Sequence, residues 1–191
     1  MREGSERATM EKSIGLIELT SIARGYEVAD ALLKAALVEI VFNRTICPGK
    51  FMVMVAGATE AVRSSIDTGL EIGGEAVVDE LVIPNVHPEV FPAISGTRVL
   101  EKTGALGIIE TFSVASTIEA ADVAVKAAEV ALIEIHLAMA IGGKGYVTLT
   151  GDVASVTTAV EAGSEHVKTK GLLAEKVVIP DPRHEILRDR I

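Results

Sequence analysis

The sequence predicts an α+β protein in which one β-α-β-β-α-β unit occurs twice in tandem. The first observation behind this prediction is an internal match, since Gly15-Leu16-Ile17-Glu18 corresponds to Gly107-Ile108-Ile109-Glu110, 92 residues later (107 − 15). The second is that Lys34-Ala35-Ala36 and Lys126-Ala127-Ala128 keep the same spacing. A fixed spacing of this length indicates a repeated structural unit.

The spacing increases along the chain and shows where the two copies differ. Gly49-Lys50 matches Gly143-Lys144 at a spacing of 94 (143 − 49), and Val82-Ile83-Pro84 matches Val178-Ile179-Pro180 at 96 (178 − 82). The second copy therefore has two extra residues in the loop that corresponds to residues 45–50.

The duplication sets the expected domain boundaries. We expect one domain at residues 13–99 and a second at 100–191, preceded by a flexible polar tail at 1–12. The joining segment, 85–104, contains prolines and glycines that interrupt regular structure.

Each copy is expected to contain a short apolar strand, an alanine-rich helix, two strands around a loop, a second helix and a final strand. In the two copies the first strand, first helix and final strand are expected at 13–19 and 105–112, 25–36 and 117–128, and 80–83 and 174–179. Ser116 and Glu119 predict a capping box for the first helix of the second copy, and Asp152 is expected to cap the helix that follows it. This element order is that of the ferredoxin-like fold.

The charge balance and the apolar pattern limit the classes of partner. The chain has 18 basic and 27 acidic residues, a net charge of −9, without the clustered Lys and Arg of a nucleic-acid surface. No stretch approaches the roughly 18 uncharged apolar residues of a membrane span. We therefore expect neither a nucleic-acid nor a membrane partner. The single cysteine fits a reducing cytoplasm.

The only cysteine lies in Thr45-Ile46-Cys47-Pro48-Gly49-Lys50, which is expected to be a tight exposed loop between two strands. A lone thiol has no partner for an intrachain disulfide and does not complete a metal site. Three interpretations of Cys47 stay open: a small buried apolar residue, a nucleophile, or a ligand shared with other copies of the chain. A nucleophile needs a neighbouring base, and the first histidine in the sequence is His87.

The matching loop of the second copy contains Ile141-Gly142-Gly143-Lys144 and no cysteine. A phosphate-binding P-loop requires Ser or Thr after the lysine, and Gly145 stands there instead, so a phosphate site is not expected. Glu18 and Glu110 occupy matching strand positions. Paired carboxylates suggest acid–base catalysis, but we favour a structural role repeated in both copies.

These features together resemble the BMC domain of bacterial microcompartment shell proteins. The resemblance rests on the Gly-x-Ile-Glu strand, the Asp-x-x-x-Lys-Ala-Ala helix and the Gly-Lys loop, and it covers residues 10–182. Two copies in one chain resemble the tandem class, of the type found in propanediol-utilisation compartments. The resemblance implies a homotrimer that serves as a pseudo-hexameric tile in the cytoplasmic microcompartment shell, beside other shell proteins.

The resemblance also implies a [4Fe-4S] cluster on the threefold axis, held by one Cys47 from each of three chains. A lumenal redox enzyme would then be an electron-transfer partner, and Lys50 would offset the negative charge of the cluster. Lys34 and Lys126 would lie at the seams between tiles. Two loops would surround the central opening, with residues Thr45, Ile46, Pro48, Gly49, Lys50, Ile141, Gly142, Gly143 and Lys144.

The favoured function is therefore a shell tile that transfers electrons across the shell. The first alternative is a tile whose central pore passes small metabolites, with no cluster bound. A small-molecule-sensing regulator is the alternative from another class, because ferredoxin-like trimers also serve that purpose. An enzyme is least favoured, since the sequence contains no nucleophile–base–orienter set and no cofactor fingerprint.

Overall fold

The computed structural model describes residues 13–96, 104–139 and 141–187, which form two four-stranded antiparallel sheets with helices packed on them. The first repeat contains β1 (Ser13–Leu19), α1 (Ile22–Ala35), β2 (Glu39–Ile46), β3 (Lys50–Gly57), α2 (Thr59–Gly73), a 3-10 turn (Gly74–Ala76) and β4 (Val77–Ile83). There follow α3 (Val90–Ser95), β5 (Ala105–Thr111), α4 (Val114–Ala127), β6 (Ala131–Leu137), β7 (Gly145–Gly151), α5 (Val153–Lys168), β8 (Leu173–Ile179) and a 3-10 turn (His184–Leu187).

The two sheets have the same strand order and the same register. The orders are β2-β3-β1-β4 and β6-β7-β5-β8, which confirms the predicted ferredoxin-like plan in both copies. Ser13 pairs with Gly57 as Ala105 pairs with Gly151. The pairing of β1 with β4 shifts after Glu18, and that of β5 with β8 shifts after Glu110. Matched positions in the repeats can therefore be compared one by one.

The repeats fill one packing position in opposite ways. In α1, a Cβ atom added at Gly25 would lie 2.3 Å from the ring of Phe51, so only glycine leaves room for this buried aromatic side chain. The matched pair in the second repeat is Thr117 and Gly145, where a Cβ at Gly145 would lie 2.1 Å from the Thr117 hydroxyl oxygen. The large side chain has changed from the strand to the helix.

We predict that Gly25→Ala lowers the free energy of unfolding by about 1–3 kcal/mol, because overpacking outweighs the better helix propensity of alanine. Urea denaturation of the purified variant measures this change. The double variant Gly25→Ala/Phe51→Leu should lose less free energy of unfolding than the two single variants lose together, since the smaller side chain at position 51 frees the space. Strict additivity would contradict the steric explanation.

Two helix starts differ from the prediction for a local reason. Both α1 and α4 begin three residues before the predicted starts, because Ser21 and Ser113 cap them by accepting from the amides of Arg24 and Ser116. The capping box at Ser116 is therefore wrong. The Ser116 hydroxyl instead donates to the Asp79 carboxylate of the first repeat, at 2.8 Å.

The cap at the start of α5 is confirmed. The Asp152 carboxylate accepts from the amides of Ala154 and Ser155 and from the Ser155 hydroxyl. These hydrogen bonds, first of all that of the Ser155 hydroxyl, hold the pKa of Asp152 below its usual value.

The segment between the repeats is more ordered than the sequence predicts. It contains α3, a helix of six residues that includes Pro92 and is capped by Gly96, whose φ of 63° suits glycine. The side chains of Val90 and Ala93 are buried, and α3 packs against β6 and α4. The predicted tail at 1–12 and the predicted boundary after residue 99 lie outside the described residues.

One cluster of buried apolar side chains spans both repeats, and the first repeat has a second cluster under α1 and α2. Helix α4 packs against β1 and β4 of the first sheet. Leu16, Met54, Leu81, Ile118 and Val147 all belong to the cluster that spans both repeats. The two domains therefore form an extensive interface within the chain.

Candidate functional site

The cysteine loop touches the matching loop of the second repeat. Cys47, Pro48 and Gly49 join β2 to β3, and the Cys47 side chain is partly exposed, so it is not a fully buried apolar residue. The Cys47 amide donates to the Ala138 carbonyl at 3.0 Å. A Cβ at Gly143 would lie 2.8 Å from Pro48 Cδ. The two loops are therefore neighbours at one end of the two sheets.

Some of the residues that were predicted to lie in these loops belong instead to the ends of the neighbouring strands. Thr45 and Ile46 end β2, Lys50 begins β3, and Ile46 is buried rather than loop-exposed. Ile141, Gly142, Gly143 and Lys144 lie in the loop before β7, and both glycines have positive φ.

The expected role of Lys50 toward a cluster is not supported by its contacts. Its ammonium group lies 2.5 Å from Glu18 Oε1, and the Glu18 side chain is completely buried. The positive charge of Lys50 is thus already paired with a carboxylate. Lys144 and Glu110 form the matching pair at 2.8 Å. This confirms the structural role, repeated in both copies, that we favoured for the two glutamates.

The described part of the chain does not form a complete metal site at Cys47. Among residues 13–96, 104–139 and 141–187, no group of three His, Cys, Asp or Glu side chains is placed to hold a metal ion. In the same ranges, no helix is long and apolar enough to cross a membrane. The donor set available to a metal at this loop is one thiol per chain, so a thiolate centre here requires several chains.

Sequence reasoning missed an aromatic pair beside the second loop. The rings of His136 and Tyr146 stack with centroids 5.1 Å apart, and His136 Nε2 lies 2.8 Å from the Met139 carbonyl oxygen. The strand–loop–strand pattern in the sequence could have indicated this pair, because it places the two residues opposite one another at the end of the hairpin between β6 and β7.

Lys34 and Lys126 occupy matching sites in the two repeats. Lys34 pairs with Asp30 at 2.5 Å, and Lys126 pairs with Asp122 at 2.6 Å, each over one helical turn. Asp122 also accepts from the His87 amide at 2.8 Å through its other oxygen.

The interface between the repeats is polar at the start of α4. Glu18 Oε2 accepts from the Val114 amide at 2.9 Å, and Asp79 accepts from the hydroxyls of Ser113 and Ser116. Carboxylates at a helix N-terminus satisfy its free amides and complement its dipole. These contacts hold the second repeat at a fixed orientation on the first.

Lys170 adds an ion pair to this interface. Its ammonium group lies 2.6 Å from Glu119 and 3.6 Å from Asp79. Burial lowers the pKa of Lys170, but the hydrogen bond with Glu119 and the surrounding carboxylate charges raise it, and the net pKa lies above its usual value. The pair therefore contributes fully at neutral pH and is lost only at strongly alkaline pH.

The matching helix of the first repeat has its corresponding face exposed. Ile118 and Val114 of α4 are 0% exposed, whereas their counterparts Tyr26 and Ile22 of α1 are 61% and 39% exposed. The difference has a simple cause: α4 lies against the other repeat, and α1 has no repeat beside it within the chain.

The complementary face of the second sheet is also open. It forms a cavity of about 390 Å³ whose lining includes Leu106, Ile108, Glu110, Tyr146, Thr148 and Ile186. The counterparts of these six residues in the first repeat are completely buried: Ile14, Leu16, Glu18, Met52, Met54 and Val90. The lining also includes Ile133 and Glu134, whose counterparts Val41 and Phe42 are half-buried. One chain therefore carries both halves of an unused copy of its own internal interface.

Comparison with known proteins identifies the class. The model of the BMC domain matches twice, at residues 13–86 and 105–182. The chain therefore belongs to the BMC-domain family of bacterial microcompartment shell proteins.

Within this family the chain is similar to the microcompartment shell protein PduT of Citrobacter freundii, with 48% identity over 182 residues, covering 95% of this chain and 99% of that protein. A crystal structure of a microcompartment protein from Desulfitobacterium hafniense DCB matches with a TM-score of 0.84 and 50% identity, covering 94% of this chain and 99% of that one. The fused permuted hexameric shell protein MSM0275 from the RMM microcompartment shares the fold at a TM-score of 0.65 and 22% identity, with 85% and 86% covered.

Proposed function

We propose that this shell protein is a homotrimeric, pseudo-hexameric tile whose three Cys47 thiolates hold one [4Fe-4S] cluster. The observation that carries the proposal is the position of Cys47, a partly exposed lone thiol in a loop that touches its repeat-related counterpart. If the interface between the repeats is continued from chain to chain, six such loops meet around one axis, and every second loop has a thiol.

The trimer is supported by the unused halves of the internal interface. A 60° rotation relates neighbouring units of a six-unit ring, and three chains of two repeats close such a ring with cyclic symmetry. In that ring the exposed face of α1 covers the open sheet of the second repeat of the next chain. Both faces are apolar and are buried at their matched positions within the chain.

The cluster is supported by the donor chemistry. Fe–S clusters are held by thiolates, and three thiolates leave one iron for an exogenous ligand. The turn at Pro48 and Gly49 keeps bulky side chains away from the thiol, while the Cys47 and Gly49 amides donate to the carbonyls of Ala138 and Ile46. The exposure of the loop to solvent would therefore be the main influence of this turn on the potential of a cluster. A bound cluster supplies one-electron transfer, which suits passage of electrons across the shell to a lumenal redox enzyme without substrate turnover.

The remaining partners follow from the same assembly. Lys34 and Lys126 lie in the last turns of the repeat-related helices α1 and α4, and the ring would present all six of them at its rim. There they would contact neighbouring tiles and other shell proteins. A tile of this kind is a structural protein and not an enzyme.

The test is purification without oxygen of the wild-type chain and of Cys47→Ser, followed by iron, sulfide and mass determination. We expect about four irons per three chains in the wild type, because each cluster is shared by one trimer. Cys47→Ser should lose the iron, the sulfide and the absorbance near ~400 nm, and should remain trimeric because the substitution is nearly isosteric. Loss of both iron and trimer in Cys47→Ser would contradict this division of roles.

Each other outcome points to a stated alternative. An intact trimer that takes up no iron after reconstitution would support the metabolite-passing tile, with Cys47 as a thiol of the central opening. A trimer that does not assemble into sheets and binds a small molecule between subunits would support the regulator.

A further inference from the structure

We infer that the C-terminal segment 183–186 clamps the neighbouring chain in the trimer, as the connector 87–90 clamps the second repeat within the chain. The inference rests on the proposed trimer and adds the contacts that fix one chain to the next. It follows from a sequence match, a backbone match and three pairs of matched partners.

The two segments match after the last strand of each repeat. At the spacing of 96 residues that relates β8 to β4, Pro180 corresponds to Pro84, Glu185 to Glu89, and Ile186 to Val90. The backbone matches as well. The Val90 amide donates to the His87 carbonyl at 3.0 Å, and the Ile186 amide donates to the Arg183 carbonyl at 3.1 Å. Both segments therefore make the same turn at the same distance from their sheets.

The connector holds the second repeat by two hydrogen bonds. Glu89 Oε2 accepts from the Leu132 amide at 3.0 Å, and the His87 amide donates to Asp122 Oδ1 at 2.8 Å. Val90 is completely buried beside these contacts. The connector thus fixes the edge strand β6 and the helix α4 with a carboxylate, an amide and an apolar side chain.

The C-terminal segment presents the same three groups, and the first repeat presents the same acceptor surface. Glu185 is exposed, and Ile186 is 55% exposed at the border of the open cavity. At the spacing of 92 residues, the counterparts of Leu132 and Asp122 are Ile40 and Asp30, which are both exposed.

Asp30 also uses its oxygens as Asp122 does. Lys34 binds Asp30 Oδ2, as Lys126 binds Asp122 Oδ2. In α4 the remaining oxygen, Oδ1, accepts the connector amide of His87. In the trimer, Asp30 Oδ1 of the partner subunit therefore accepts from the Arg183 amide, Glu185 accepts from the amide of Ile40 of the partner subunit, and Ile186 covers the apolar face between them.

The occupant of this surface is a second copy of the chain. The internal interface gives the template for each contact, and the two halves are exposed on opposite ends of the same molecule, which is the arrangement that closes a ring. Because the segment is short, its contribution to the free energy of association comes from a few hydrogen bonds to polar groups that the interface shields from water.

The experiment compares wild type, Glu185→Lys, Glu185→Gln and a chain ending at Pro182 by sedimentation over a range of concentrations. Glu185→Lys should weaken the trimer at least about tenfold, because the partner's amide loses its acceptor and gains a positive neighbour. Glu185→Gln keeps a carbonyl acceptor and should stay within about threefold of the wild type. The truncated chain should show the largest loss.

Amide hydrogen exchange separates this contact from a general loss of stability. In the wild-type trimer the Ile40 amide should exchange slowly, and in Glu185→Lys it should exchange at least about tenfold faster at concentrations where both are trimeric. Glu89→Lys is the matched control: it breaks the contact within the chain, so it should destabilise the fold and leave Ile40 protected.

In one contrary outcome, Glu185→Lys and the truncated chain both dissociate as the wild type does and exchange the Ile40 amide at the wild-type rate. That result would overturn the clamp and leave the proposed trimer intact. A wild-type chain that is monomeric at every concentration would overturn both. The iron assay on the wild type reports on the cluster independently of either result.

Discussion

If the chain forms the proposed trimer, Tyr26→Asp should leave it monomeric at concentrations where the wild type is assembled. Tyr26 packs on Phe51 with ring centroids 5.0 Å apart and leaves 61% of its surface exposed, whereas its counterpart Ile118 is completely buried against the other repeat. Truncating a central interface tyrosine typically costs about 2 kcal/mol or more, and a buried unpaired carboxylate costs more still. The loss occurs at each interface of the ring. Light scattering coupled to size exclusion gives the mass.

Val153→Asp is the control for this substitution, and the proposed trimer should survive it. Val153 is also an exposed apolar residue, but it lies at the start of α5, where a carboxylate suits the helix dipole. Its counterpart in the first repeat, Thr59, bonds to Ser13 within its own repeat. A trimer that survives Tyr26→Asp, in a chain with unchanged circular dichroism, would refute the chain-to-chain interface.

Lys50→Met should destabilise the fold by about 3–5 kcal/mol, because it leaves a buried carboxylate without its cation. The Glu18 side chain has no exposed surface, and its two oxygens bind Lys50 and the Val114 amide. The unpaired charge would lie between the two repeats. Chemical denaturation followed by circular dichroism measures the loss, preferably on the Tyr26→Asp background, where assembly does not contribute.

The second repeat offers a matched comparison for the salt bridge. Lys144→Met breaks the equivalent pair, but Glu110 is about one-third exposed in the single chain, so its carboxylate keeps contact with water. We expect a loss of about 1 kcal/mol or less in the monomer. Equal losses for the two variants would show that burial of Glu18 is not the cause. In the proposed trimer the next chain would cover Glu110, and Lys144→Met should then weaken assembly.

The repeat made most of the fold predictable. Because the pattern had to agree in two places, the first strand was predicted with the bounds that β1 has, and the strand order followed from the element order. The helix starts were missed because Ser21 and Ser113 were not recognised as caps. Ser116 looked like a cap in sequence, but its partner is Asp79, which lies 37 residues away and is brought near only by the fold.

The site was predictable in its residues and less so in its electrostatics. The loop positions of Cys47 and Gly143 followed from the strand pattern and the resemblance. The pairing of Lys50 with Glu18 did not, since it joins β1 to β3 across 32 residues. Burial of one face of a helix is likewise a property of the assembled domains. The sequence does contain a signal for the difference between the buried α4 and the exposed α1, because α4 is apolar nearly all round, with Ser116 and Ile118 where α1 has Arg24 and Tyr26.

The inequality of the two loops has a consequence for how such a tile changes by mutation. In a ring of six identical subunits, one codon change alters all six positions around the axis at once. In the proposed ring of three duplicated chains the same change would alter only three positions, and the other three would keep the glycine loop around Gly142 and Gly143. The proposed trimer would bring together three thiols, an odd number, so disulfide formation among them would always leave at least one in the reduced state. The duplication thereby lets one half of the chain acquire a reactive group while the other half preserves the original opening.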